Sequence, residues 1–151
     1  MYQTVRTEPK SFFQRYPDNR GGWVNKKYPY QVLYRLREVV ENPIIFVCEG
    51  EKDVETLRSY GFVATTNAGG CNAPWLQQFT DVLRGREVVL IPDRDAPGRA
   101  RVGRIARSLL GKVAKLVILE LEEGKDVTEW FERGHSDVEF IALAEGSEVT
   151  Q

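Results

Sequence analysis

From Ile44 to the C-terminus, short apolar runs alternate with longer stretches of helical periodicity. That rhythm predicts an α/β fold, because strands buried on both faces read as near-continuous apolar segments between covering helices. The run Ile44-Ile45-Phe46-Val47-Cys48 predicts a first strand, residues 52–60 a helix stopped by Gly61, and residues 62–66 a second strand. A helix over 74–83, a strand over 87–91, a helix over 97–110 opened by Pro97 and closed by Gly111, and a strand over 115–121 continue the repeat. Short helices over 127–133 and 136–144, then a polar tail after Gly146, complete the expected order.

Residues 1–40 have a different character, rich in aromatic and basic side chains and in turn signals such as Pro17-Asp18-Asn19 and Arg20-Gly21-Gly22. They read as an N-terminal accessory segment. Within it, QVLYRLREVV over 31–40 predicts a helix with Val32, Leu36, Val39 and Val40 near one face. The expected organisation is therefore an accessory segment over 1–40, a core over 41–134, and a C-terminal helix and tail over 135–151. Trp23, Tyr28, Tyr30 and Tyr34, with Arg20, Lys26 and Lys27, offer either a stacking platform for a single strand or ordinary core packing. Packing is the expectation for Trp23 and Tyr34.

Composition narrows the class. With 151 residues, 42% of them hydrophobic, the chain can bury one core but not two ordinary ones. A net charge of -1 excludes a uniformly basic nucleic-acid coat, so any basic surface must be local. Cys48 and Cys71 have no CxxC spacing, which excludes a self-contained zinc ribbon or disulfide framework and fits a reducing cytoplasm. No apolar run approaches the roughly 20 residues of a membrane span.

In parallel α/β sheets, ligands bind beyond the carboxyl ends of the strands, and here those turns are acidic. They read Glu49-Gly50-Glu51-Lys52-Asp53, Pro92-Asp93-Arg94-Asp95 and Glu122-Glu123-Gly124-Lys125-Asp126. If Asp-Arg-Asp is extended, Asp93 and Asp95 point to one side. Two carboxylates about 4 Å apart repel by roughly 4 kcal/mol at an effective dielectric near 20, so a cation is expected between them. Mg²⁺ suits the site, since it needs only one or two protein carboxylates and completes its shell with water and phosphate. Glu49, followed by a glycine that lets the chain turn, is placed to accept a proton. Glu51 is explained by the positive N-terminus of the following helix.

Arg99, Arg101, Arg104 and Arg107 on the helix after Asp95 form a basic ridge suited to a phosphate backbone, with a solvated helix face as the plainer alternative. Lys52, Arg94 and Lys125, set among the acidic turns, join the candidate phosphate-binding residues. The Gly69-Gly70 loop would allow backbone amides to approach a phosphate or template, or is an ordinary loop.

Taken in order, Glu49-Gly50-Glu51-Lys52-Asp53, Ala64-Thr65-Thr66-Asn67-Ala68-Gly69-Gly70 and Pro92-Asp93-Arg94-Asp95-Ala96-Pro97-Gly98 resemble the Toprim domain, and within it the primases and primase-helicases of phages and mobile elements. The resemblance implies a Rossmann-like, mostly parallel sheet of about four strands flanked by helices. It implies Glu49 as the catalytic acid or base, and Asp93 and Asp95 as ligands of Mg²⁺ or Mn²⁺. Asp53 and Asp126 follow as further acidic positions around the metal. The family's later motif has two aspartates one residue apart; here Thr128 stands in the second place. The implied activity is primer synthesis on single-stranded DNA from nucleoside triphosphates. A zinc-binding module and a helicase would lie on a longer chain or on partners. A Toprim nuclease, or a binding module without turnover, would use nearly the same residues.

Overall fold

The computed structural model describes residues 2–8, 10–27 and 30–147, and it divides into two compact units, residues 1–31 and 32–151. The first is a small antiparallel sheet in the order β1-β2-β3, formed by Gln3–Thr7, Ser11–Pro17 and Trp23–Val24. The Asp18 turn signal connects β2 to β3: Asp18 Oδ1 accepts the amides of Arg20 (2.8 Å) and Gly22 (2.7 Å), the local side-chain bond that Asp offers a turn. Trp23 does not pack inward. It is 47% exposed, with the Arg15 guanidinium 4.4 Å from its ring centroid. Tyr30 is 73% exposed, and Tyr28 lies outside the described residues.

The second unit holds a parallel sheet in the order β5-β4-β6-β7, formed by Ala64–Thr65, Ile44–Val47, Glu87–Leu90 and Lys115–Ile118. Period-two alternation sends each strand's side chains to both faces. Phe46, Val89 and Val117 join Val54 and Leu57 of α2 (Glu51–Ser59), Val127, Trp130 and Phe131 of α5 (Val127–Glu132), and Phe140 of α6 (Asp137–Gly146). Ile45, Val47, Val88, Leu90 and Leu116 join Val39 of α1 (Leu36–Glu41), Phe79 and Leu83 of α3 (Gln77–Leu83), and Val102, Ile105 and Leu109 of α4 (Ala96–Leu109). The sheet is thus sandwiched between two helical layers, each such buried side chain contributing about 1.5–3 kcal/mol.

The helix expected over 31–40 is shorter, Leu36–Glu41. Arg35 sits in the left-handed region at φ 55, which breaks helical continuity. Tyr34 is drawn to the sheet edge instead: its amide donates to Thr66 O (2.9 Å), and its carbonyl accepts the Thr65 hydroxyl (2.6 Å). Consequently Leu33, rather than Val32, is buried, while Val32 is 44% exposed. Tyr34 does pack on the core, and its hydroxyl donates to Glu55 (3.0 Å).

Candidate functional site at the sheet switch point

β4 is first in the chain among the parallel strands, yet it lies between β5 and β6, so the connection reverses direction there. The crevice beyond the carboxyl ends of β4 and β6 is the switch point of the sheet. Val47 of β4 is in register with Leu90 of β6, and Ile91 N donates to Val47 O (3.0 Å). Glu49 and Asp93 leave these two neighbouring strands side by side. The Arg94 amide donates to Lys125 O (2.8 Å) and its guanidinium to Gly124 O (3.3 Å), which brings the third acidic turn against the second.

The Asp-Arg-Asp segment is not an extended pair. Asp95 N donates to Asp93 O (2.8 Å), closing a tight turn, and Asp95 Oδ1 caps α4 by accepting Gly98 N (2.7 Å). A Cβ on Gly98 would meet Asp93 O at 2.6 Å and Asp95 Oδ1 at 2.9 Å, so only glycine lets this helix sit under the turn.

Five carboxylates feel one another here. Burial, reinforced by the charges of Glu49, Asp53, Asp126 and Asp95, pushes Asp93 up to about 7. Burial also raises Glu49, against the opposing charge of Arg101 and with Asp95 and Asp53 adding to the rise. Glu49 Oε2 is enclosed and meets no hydrogen-bond donor among the described residues. Such an orphaned acceptor requires an explanation in function, water or an ion.

The Asp53 and Asp126 side is differently equipped. Asp53, 5% exposed, accepts the Thr128 hydroxyl (2.6 Å) and, more weakly, its amide (3.4 Å) at Oδ1. Asp126 Oδ1 caps α5 through Glu129 N (2.8 Å), while Oδ2 takes the Lys52 ammonium at 2.8 Å. Burial alone would raise Asp126; the Lys52 and Glu129 hydrogen bonds hold it below its ordinary value instead. Lys52 is therefore engaged with a carboxylate rather than free for phosphate.

The expected basic ridge divides. Arg101 is buried, 2% exposed, and cannot reach a phosphate backbone. It donates to Asn67 Oδ1 (2.7 Å) and, at 3.4 Å, to Thr66 Oγ1, and its Nε meets no acceptor among the described residues. Arg101 lies on the same helical face as Val102, Ile105 and Leu109, a periodicity that places it inward. Thr66, Asn67, Gly98 and Gly124 complete the site's frame and were not anticipated as such. Arg104 is exposed but tied to Cys71 O (2.6 Å), which holds α4 against the turn after Gly69 and Gly70. Those glycines do adopt positive φ, 98 and 66. Lys125 is exposed. Arg94 and Arg99, also exposed, line a cleft of about 450 Å³ together with Asp93, Glu120 and Glu122.

Among the described residues no three His, Cys, Asp or Glu side chains converge enough to enclose an ion by themselves. The Asp93 side nevertheless fits one that keeps water or phosphate in its shell: it holds a half-buried Asp93 raised by its acidic neighbours and an orphaned Glu49 oxygen. The Asp126 side does not fit, because its oxygens already serve Lys52 and a helix cap.

The fold and site define a doubly wound α/β domain with an acidic centre at its switch point. The sequence profile of the Toprim-like family matches residues 46–131, and the chain belongs to that family. Its structure is similar to the DnaG primase catalytic domain bound to single-stranded DNA (20% identity, TM-score 0.67, covering 98% of this chain and 53% of that one). It is also similar to the zinc-binding and RNA polymerase domains of the Aquifex aeolicus primase (18%, 0.69, 99% and 40%). A third is the primase fragment of the bacteriophage T7 primase-helicase (22%, 0.55, 94% and 62%). At these identities the likeness is one of fold, and the chain spans about half the length of the DnaG cores. A comparison with curated protein sequences finds no significant match. No helix among the described residues is long and apolar enough to cross a membrane.

Proposed function

We propose that this chain is the Toprim catalytic part of a DNA primase of a phage or mobile element, joining nucleotides into an RNA primer on single-stranded DNA in the cytoplasm. The observation that carries the reading is the pair of carboxylates on neighbouring strand ends at the switch point, Glu49 with one oxygen lacking a donor among the described residues and Asp93 raised by burial and its acidic neighbours. Asp93, with Asp95 beside it, would hold Mg²⁺ or Mn²⁺, which when bound supplies charge neutralisation on a triphosphate and alignment of a 3′ hydroxyl. Glu49 accepts the proton of that hydroxyl, and burial, which raises its carboxyl above the ordinary value, makes it a better proton acceptor. Arg94 and Arg99 hold phosphate oxygens along the cleft beside Asp93. Gly69 and Gly70 let backbone approach the strand, and Arg104 and Lys125 give salt-sensitive contacts to its backbone.

The relatives' names include a zinc-binding domain and a primase-helicase, so a zinc-binding module and a helicase are the partners proposed. The test is primer formation on single-stranded DNA from nucleoside triphosphates with Mn²⁺, those partners being supplied. Primers from the wild type and none from Asp93→Asn are expected. Cleavage of the strand in place of primer growth, or undiminished synthesis by Asp93→Asn, overturns the reading.

A further inference from the structure

The Asp126 side of the acidic centre carries its own cation. Lys52 projects from the first turn of α2, and its Nζ lies 2.8 Å from Asp126 Oδ2. The lysine side chain is 63% exposed and the aspartate side chain 10%, so the ammonium closes the carboxylate off from the solvent side. The other Asp126 oxygen is committed to the amide of Glu129. Glu129, the acid next to Thr128, accepts Lys125 N at 2.8 Å with Oε2.

Thr128 completes the closure. An aspartate there would put another carboxylate beside Asp53; threonine instead donates its hydroxyl to Asp53 Oδ1 at 2.6 Å. The Thr56 hydroxyl lies 2.9 Å from that of Thr128, so α2 and α5 are clasped by two hydroxyls and one carboxylate where an anionic pocket would otherwise stand. A divalent ion entering this side would have to expel the ammonium, since like charges at such distances repel. It would also have to uncap α5.

We infer that Lys52 is a tethered cation standing where a second divalent ion would sit, and that the centre of this chain holds a single ion, on the Asp93 side. The inference rests on the metal-dependent reading proposed above and says which half of the acidic cluster that metal uses. It also assigns Lys52 a role different from phosphate binding: with Asp126, it fixes the position of α5 against α2.

The experiment is a calorimetric titration of Mn²⁺ alone into the full chain, with bound ions counted by electron paramagnetic resonance. The expected result is one ion per chain in the wild type, lost in Asp93→Asn. Lys52→Met combined with Thr128→Asp, with its fold checked by circular dichroism, is expected to bind two. Because the Lys52 side chain is largely exposed, Lys52→Met alone gives a variant that keeps its fold, and a second, weaker binding step is expected from it. Two ions in the wild type overturn the inference while leaving the metal-dependent reading intact. So does a count that stays at one in both Lys52 variants. Absence of binding to the wild type and every variant refutes the metal-dependent reading, and the inference with it.

Discussion

The two halves of the acidic centre are built from the same residue types and have been finished in opposite ways. On the β4–β6 side, Glu49 Oε2 has no donor among the described residues, and Asp93 is pushed up to about 7 by burial and by its acidic neighbours. On the α2–α5 side, Asp53 is answered by Thr128, and Asp126 by Lys52 and a helix N-terminus. Burial of a carboxylate is costly unless hydrogen bonds or opposite charge offset it. The satisfied half therefore contributes to holding the fold, while the unsatisfied half retains an affinity for whatever supplies positive charge. What separates structure from function here is whether the surrounding donors have been provided, not the count of acidic residues.

The largest expected difference between the halves is in turnover. Glu49→Gln keeps the shape and removes the proposed proton acceptor, so the proposed primer synthesis should fall by about 10²–10⁴-fold, the usual contribution of a positioned general base. The melting temperature should not fall, because one oxygen of the replaced carboxylate is enclosed without a donor among the described residues. Single-turnover kinetics beside a thermal melt would show this. A loss of turnover matched by a comparable loss of stability would erase the distinction between the halves.

The satisfied half should answer the other way. Thr128→Val removes the hydroxyl from Asp53 and leaves a carboxylate, 5% exposed, with only the long bond from the residue-128 amide. Leaving such a group short of a partner costs about 1–3 kcal/mol. Chemical denaturation should show that loss as a lower midpoint with unchanged slope, while Mn²⁺ binding at the Asp93 side stays within a few-fold of the wild type. Weakened ion binding with full stability would reverse the roles assigned to the two halves.

Much of this frame was legible in the sequence, for reasons that differ by region. The apolar runs at Ile44, Glu87 and Lys115 announced the strands because two-sided burial leaves little room for polar residues. The acidic turns announced the site because they follow those runs directly. Periodicity over 31–40 predicts a helix that starts before Leu36, because it does not reveal that Tyr34 gives its backbone to Thr65 and Thr66. The β1-β2-β3 sheet is not legible in the sequence because β1 exposes residues on both faces and β3, with its exposed Trp23, is only two residues long, so neither carries a clear alternation. Arg101 was placed outside on charge alone, although its spacing from Ile105 marked the inner face. The side-chain partners of Asp53 and Asp126, Thr128 and Lys52, are not legible in the sequence, since they come from segments over 70 residues away.

The smallest and most diagnostic difference is in pH dependence. Asp93 has its carboxyl raised from an ordinary 3.8 to about 7, so between those values the folded chain retains a proton that the unfolded chain releases. The stabilising contribution of that protonated group is complete below pH 3.8 and is lost as the pH rises through about 7. Ion binding must displace the same proton. Apparent Mn²⁺ affinity should therefore rise by up to about tenfold per pH unit below neutrality and level off above it. Asp126, held below its ordinary value chiefly by Lys52 and the Glu129 amide against burial, is already ionised across that range and adds no slope. Calorimetric titrations from pH 5.5 to 8 would measure the profile. A flat one would mean that the ion avoids Asp93, and would move the metal to the half that Lys52 now closes.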